Sequence, residues 1–261
     1  MKEYVHFEQK DGIATVTIDI PETRNALSVD SAPQIANAFY RCTDDPAIRC
    51  VVLRGAGGNF CGGGDIKAMK ARNDSGHPDN PEGFRAYTAM IQSILNCTKP
   101  VIAMIEGACA GAGVSLAMAC DLTIAAEDVK FALSFVNVGY IPDMGASAMV
   151  TRSVGRARAA RLILLGERFT GKDACAWGLI SHAVPAEELA ATVEKIAHRM
   201  ANGPTVAYGC AKMLINRAQL YGMESCMQLE AEYQAKLSYT QDHYESVDAF
   251  LQKRKPNYVG R

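Results

Sequence analysis

Two glycine-rich stretches decide the fold: Phe60-Cys61-Gly62-Gly63-Gly64-Asp65-Ile66-Lys67 and Gly107-Ala108-Cys109-Ala110-Gly111-Ala112-Gly113-Val114. Each stretch follows an apolar, β-branched run, at 50–53 and at 101–105, and each precedes a pattern typical of a helix. Two such strand–glycine–helix junctions can bring backbone N–H groups and helix N-termini to one point. There they could hold a negatively charged oxygen. The alternative is that the glycines only make tight strand-to-helix turns.

The residues beside the two junctions restrict the chemistry. Neither junction ends in Gly-Lys-Ser/Thr, so neither is a phosphate-binding loop. No Ser, Cys or His nucleophile signature accompanies them, and the chain has no Ser-His-Asp signature. Paired backbone donors without a nucleophile favour stabilisation of an enolate over acyl transfer.

Composition excludes several classes of partner. The 261 residues include 27 basic and 28 acidic side chains, for a net charge of −1, which predicts no binding to nucleic acid or to an anionic membrane. No apolar leader or membrane-spanning run is visible, and we expect a cytoplasmic protein. The nine cysteines include no Cys-x-x-Cys pair and the five histidines are dispersed. We therefore expect neither a disulfide framework nor a metal site.

The order of predicted elements indicates an α/β protein. Alternation over 12–20 predicts a half-buried strand, and Ser28 can cap the helix that follows. Further strands are predicted at 50–54, 101–105, 122–125 and 130–133, and helices at 189–201, 206–220, 223–237 and 244–253. The polar stretch 72–81 predicts a loop, either a lid over a cleft or a plain surface excursion.

Four segments resemble the crotonase (enoyl-CoA hydratase/isomerase) superfamily: Arg24-Asn25-Ala26-Leu27, the stretch 60–67, the stretch 107–121, and Val138-Gly139-Tyr140-Ile141-Pro142-Asp143-Met144-Gly145. The resemblance implies a ClpP-like spiral of β-β-α units, with a core at 1–200 that holds an acyl-CoA site. It also implies a C-terminal helical trimerisation region at 201–261, in a homotrimer or a dimer of trimers. A helical region of that size buries little alone, so it should pack on the core or on another subunit.

The resemblance also implies how an acyl-CoA is held. The N–H groups of Gly64 and Ala112 would bind the thioester oxygen, with coenzyme A entering as part of the substrate and no permanently bound cofactor. The residues implied to contact the coenzyme are Arg24, Ala26, Gly62, Asp65, Ile66 and Lys67, joined by Phe250 and Lys253 from a neighbouring subunit. The alternative is that Lys67 and Lys253 are solvated surface residues and that Asp65 is a helix cap.

One departure from the resemblance bears on the reaction. An enoyl-CoA hydratase uses two carboxylates to handle one water, and the matching positions here are Ser115 and Phe135. The usual hydratase mechanism is therefore poorly supported. The resemblance is closest to the isomerase branch, which includes the epoxyphenylacetyl-CoA isomerases of the phenylacetate pathway.

In that branch an aspartate in the context Pro-Asp-x-Gly is the base, and here it is Asp143. The alternative role for Asp143 is an N-cap carboxylate. An apolar acyl pocket is expected from Met69, Phe84, Tyr87, Phe135 and Tyr140, with Ser115 as a pocket hydroxyl or as a small residue that permits close packing. The expected function is an acyl-CoA isomerase, with a hydratase or another crotonase-type lyase as the alternative. A catalytically silent binding subunit is the remoter alternative.

Overall fold

A computed structural model describes residues 2–75, 81–218, 227, 236, 237 and 239–261. The strands within these residues are β1 (Val5–Lys10), β2 (Ile13–Ile18), β3 (Cys50–Gly55), β4 (Val101–Ile105), β5 (Ala108–Ala110), β6 (Leu122–Ala126), β7 (Lys130–Ala132), β8 (Arg168–Thr170) and β9 (His182–Val184). The helices are α1 (Ser31–Asp44), α2 (Ile66–Asp74), α3 (Pro81–Leu95), α4 (Ala112–Met118), α5 (Ala146–Leu165), α6 (Gly171–Ala176), α7 (Leu189–Ala201), α8 (Thr205–Ala218) and α9 (Gln241–Leu251).

Two sheets organise the core. The larger has the order β1-β2-β3-β4-β6-β9, in which β1 is antiparallel to β2 and every other pair is parallel. The smaller has the order β5-β7-β8. All five residues of β4 are buried and β3 is buried at all positions but one, as expected for apolar parallel strands in the interior of a sheet. β4 continues almost directly into β5 and so connects the two sheets.

The strands predicted from apolar runs are present with small changes in their ends. The alternating strand is shorter than the predicted 12–20, because Asp11 and Gly12 form a turn with φ of 52° and 76°. Four strands were not predicted: β1, β5, β8 and β9. No strand follows β9 in the described part of the chain.

The helices correct two details of the prediction. α1 begins at Ser31, where the Ser31 N–H donates to Ser28 Oγ at 3.1 Å, and Pro33 falls in its first turn. The stretch predicted as a loop at 72–81 is helical at both ends, since α2 continues to Asp74 and α3 begins at Pro81. Residues 76–80 lie outside the described residues, as does most of the predicted helix at 223–237.

The C-terminal helices pack on the core of the same chain. Arg49, just before β3, donates to Thr205 Oγ1 at 3.0 Å, to the Gly203 carbonyl at 2.6 Å and to the Tyr258 carbonyl at 3.0 Å. On α8, Lys212 is buried and forms an ion pair with Asp121. The region after residue 201 is therefore attached to the sheet by charged and polar contacts.

The cysteines of the described residues are all free, and six of the eight are buried. Burial raises the pKa of the Cys42, Cys50 and Cys61 thiols to about 12. Within the described residues, no helix is both long and apolar enough to cross a bilayer.

Candidate active site

The two glycine junctions lie side by side. The Cys61 N–H donates to the Ala108 carbonyl at 3.1 Å, and the Ala110 N–H donates to the Cys61 carbonyl at 3.0 Å, in a short parallel bridge. The loop after β3 is thereby joined to β5 and to the start of α4. The structure brings the two sequence motifs together at one point.

This close approach requires glycine at two positions. Gly63 has φ of 103°, and a Cβ atom there would lie 2.9 Å from the Ala110 carbonyl oxygen. A Cβ atom on Gly113 would overlap the carbonyl oxygen of Cys61. A side chain at either position would push the junctions apart.

Two backbone N–H groups at the junctions donate to no atom of the described residues. Among the described residues, no hydrogen bond takes its proton from the N–H of Gly64 or of Ala112. Ala112 is the first residue of α4, whose opening N–H groups lack intrahelical acceptors. Both residues line one pocket, and the methyl group of Ala112 leaves its N–H intact. The arrangement can accept a developing oxyanion.

Asp143 lies on the wall of the same pocket, in the turn before α5. Its Oδ1 atom is buried and has no hydrogen-bond partner within the described residues. Burial raises the pKa of the Asp143 carboxyl from 3.8 to about 6. The carboxylate does not cap α5, because the cap residue is Gly145 and the Ala146 N–H donates to the backbone carbonyl of Asp143 at 3.0 Å. The alternative role as an N-cap is therefore not what the structure shows.

The pocket is a mainly apolar cavity of about 110 Å³. Every aromatic and aliphatic side chain predicted for it lines it: Met69, Phe84, Tyr87, Phe135 and Tyr140. Six further side chains line the pocket without having been predicted for it: Leu27, Val29, Arg72, Ser134, Val138 and Met144. Three of these had a usable signal, since Leu27, Val138 and Met144 lie in segments that carry the family resemblance.

Ser115 differs from the prediction that it supplies a pocket hydroxyl. Its side chain is fully buried in α4 and does not line the cavity. Its hydroxyl donates to the backbone carbonyl of Asp143 at 3.1 Å. A small residue at this position lets the turn at Asp143 pack closely against α4, as in the second of the two expected roles.

The residues implied for coenzyme A fall into two groups. Gly62 and Ile66 line the pocket. The others, which do not line it, are the exposed Arg24, Lys67 and Lys253, the buried Ala26, and Asp65. Asp65 caps α2, accepting from the N–H groups of Lys67 at 2.9 Å and Ala68 at 3.2 Å. The side chain of Phe250 lies outside the described part of the chain.

Comparison with known proteins identifies the class first by its fold, which is that of the crotonases. The chain superposes on the crystal structure of an enoyl-CoA hydratase from Polaromonas sp. JS666 with a TM-score of 0.91 and 31% identity, over 97% of this chain and 99% of that one. The predicted fold class is thus confirmed. Residues 8–261 match the model of the enoyl-CoA hydratase/isomerase family, and the chain belongs to that family of enzymes.

Two curated relatives carry different names. The chain is 35% identical to the 1,2-epoxyphenylacetyl-CoA isomerase of Escherichia coli K12, over 100% of both chains. It is 34% identical to a probable enoyl-CoA hydratase of Rhodobacter capsulatus, over 98% of both chains. Identity at this level assigns the family and leaves the reaction to be argued from the site.

Proposed function

We propose that this protein is an acyl-CoA isomerase that shifts a double bond, or rearranges an epoxyphenylacetyl-CoA-type substrate, through a thioester enolate. The observation that carries the proposal is the Asp143 carboxyl on the wall of the pocket that Gly64 and Ala112 also line, with a buried Oδ1 atom that has no partner within the described residues. In this reaction Asp143 is the acid/base. The N–H groups of Gly64 and Ala112 bind the thioester oxygen.

A double-bond shift needs only one base, because the proton that the base removes is returned to another carbon. Asp143 takes a proton from one carbon of the 3-enoyl thioester, and the electron pair moves onto the thioester oxygen as an enolate. The protonated Asp143 then returns the proton two carbons away, and the enolate collapses to the 2-enoyl thioester. A carboxyl pKa of about 6 suits both steps, because the group is ionised at neutral pH and yet basic enough to accept a proton.

The lining of the pocket favours this reaction over hydration. Addition of water by the usual mechanism needs a second carboxylate, and Asp143 is the sole acidic residue among the described lining residues. Phe135 occupies one of the two matching positions, and Ser115, at the other, points its hydroxyl at a backbone carbonyl. A hydratase or related lyase remains the second candidate, because a relative of nearly equal identity is named as a hydratase.

The proposal extends to the coenzyme and to assembly. The exposed Arg24 and Lys67 flank the loop that carries Gly62, where they can meet the phosphates of coenzyme A. By family resemblance, residues 201–261 mediate a homotrimer or a dimer of trimers. In that assembly Phe250 and Lys253 reach the coenzyme of a neighbouring subunit.

The test is incubation with trans-3-hexenoyl-CoA and trans-2-hexenoyl-CoA in deuterated water, followed by mass spectrometry and NMR of the products. A parallel arm uses 1,2-epoxyphenylacetyl-CoA. We expect isomerisation with partial deuterium incorporation, reduced to a small residual rate in Asp143→Asn and unchanged in the control Asp30→Asn, an exposed aspartate before α1. Efficient formation of 3-hydroxyhexanoyl-CoA that survives Asp143→Asn would overturn the proposal.

A further inference from the structure

The short helix α4 carries the N–H proposed to bind the oxyanion and also contacts the turn that holds the proposed base. Ala112 opens α4 and presents its N–H to the pocket, and Ser115 lies one helical turn further along. The hydroxyl of Ser115 donates to the Asp143 carbonyl at 3.1 Å. The donor for the oxyanion and an anchor for the base are therefore about one turn apart on the same rigid element.

The segment that carries Asp143 needs such an anchor. Gly139, Met144 and Gly145 have φ of 72°, 50° and 85°, so the backbone before α5 is irregular. Met144 is not a glycine, so this left-handed conformation is strained there. Irregular backbone keeps a defined shape when hydrogen bonds hold it from outside, and the bond from Ser115 comes from the helix behind the pocket.

Because Ser115 is buried, its side chain does not reach the pocket in which the reaction is proposed to occur. Its side chain has no exposed area, it does not line the pocket, and its proton is directed at a backbone oxygen. It cannot touch the substrate or replace a second acid. Any influence on the reaction must pass through the position of Asp143.

We propose that Ser115 is a positioning residue, which fixes the distance between the Asp143 carboxylate and the oxyanion-binding N–H of Ala112. This inference rests on the proposed function of Asp143. The position that bears a catalytic carboxylate in hydratases by resemblance thus has a different task here: it couples the base to the helix that carries the oxyanion site.

The kinetic test compares two buried serines with trans-3-hexenoyl-CoA as substrate. Ser115→Ala removes the link, whereas the matched control Ser93→Ala removes a buried hydroxyl on α3 that donates to its own helix, to the Met90 carbonyl at 2.7 Å. We expect Ser115→Ala to lower kcat about 5–20-fold with KM within about twofold, since alignment is lost and binding is kept. Ser93→Ala should leave kcat unchanged, and Ser115→Thr, which restores the hydroxyl, should recover part of the loss.

A double-mutant cycle shows whether the effect passes through the base. In an Asp143→Asn background, Ser115→Ala should cause no further loss of kcat. An equal loss in both backgrounds, or a rise in KM at unchanged kcat, would overturn the inference.

Amide hydrogen exchange tests the bond from Ser115 to Asp143 without any measurement of activity, and so independently of the proposed function. The N–H of Ala146 donates to the same Asp143 carbonyl. We expect this amide to exchange at least about threefold faster in Ser115→Ala than in Ser93→Ala. Unchanged exchange rates would refute the anchor. Activity retained in Asp143→Asn would instead refute the proposed function, whatever the exchange shows.

Discussion

The ammonium group of Lys212 lies 2.9 Å from Asp121 Oδ2, although the Lys212 side chain is only 5% exposed. Lys212 also donates to the Ile94 carbonyl at 2.9 Å, and Asp121 accepts from the Val101 N–H at 2.7 Å. This pair joins α8 to the end of α3 and to the first residue of β4. Burial raises the pKa of Asp121 even with the lysine beside it.

Lys212→Met should therefore lower the free energy of unfolding by about 1–3 kcal/mol, because it leaves the partly buried Asp121 carboxylate without its cation. Lys195→Met, at an exposed position on α7, is the control and should stay within about 0.5 kcal/mol. Urea denaturation at pH 7 measures both. Equal stability of the two variants would contradict the structural role of the pair.

Substitution of Asn25 should also lower the free energy of unfolding, because its side chain joins two loops. It accepts from the Ile20 N–H at 2.9 Å and donates to the carbonyls of Ala56 at 2.8 Å and Asn59 at 2.7 Å. Its φ of 58° is left-handed, so a replacement must also tolerate that conformation. Asn25→Ala should cost about 3–5 kcal/mol of unfolding free energy, from unsatisfied buried groups and backbone strain.

Asn25→Gly separates these two contributions in the same denaturation experiment. Glycine loses the hydrogen bonds but adopts the left-handed conformation freely, so it should be less destabilised than Asn25→Ala by about 1 kcal/mol. If alanine were the better tolerated of the two, the backbone part of this explanation would be wrong.

The N–H of Ala112 can be deleted without breaking its helix. Ala112 is the first residue of α4, where proline is accepted, and the ψ of −121° at Gly111 lies outside the α region that proline disfavours before it. Ala112→Pro should lower kcat/KM for a 3-enoyl-CoA by at least about 100-fold, because an oxyanion donor is lost. Ala112→Gly keeps the donor and should remain within a few-fold of the parent, with circular dichroism confirming that both variants are folded.

The raised pKa of Asp143 makes a prediction about stability. Since the folded pKa of about 6 lies above the ordinary carboxyl value of 3.8, the group favours the folded state below pH 3.8, and this contribution is lost as pH rises through 6. Asp143→Asn should thus be more stable than the parent by about 1–2 kcal/mol at pH 7.5, a figure reduced for partial solvent access. The gain should disappear near pH 4 in urea denaturation, and Asp30→Asn should show no such dependence on pH.

The strands could be predicted where burial follows from the sequence itself. β3 and β4 are apolar runs buried over nearly their whole length, so their sequence patterns suffice. β1 escaped prediction because it is an edge strand with a largely exposed surface, and β5, β8 and β9 because three residues carry no periodicity. Those short strands exist because pairing partners distant in the sequence hold them.

The residues of the candidate site also divide into those that local motifs indicate and those that only the fold brings together. That Gly64, Ala112 and Asp143 would line one pocket could be expected, because each lies in a segment that carries the family resemblance. Val29 and Ser134 could not be named, because the pocket gathers them from separate segments that only the fold brings together. The bond from Ser115 to a backbone oxygen is likewise invisible in the sequence, since nothing in the pattern gives the direction of a hydroxyl.

The buried cysteines can be used to measure how often different parts of the structure open. Cys42, Cys50 and Cys61 have no exposed area and thiol pKa values of about 12, so an alkylating reagent can react only after the surrounding structure opens. Cys61 lies in the first glycine junction, whereas Cys42 is on α1 and Cys50 opens β3. Their separate labelling rates would therefore report whether the first glycine junction opens alone or together with the whole domain.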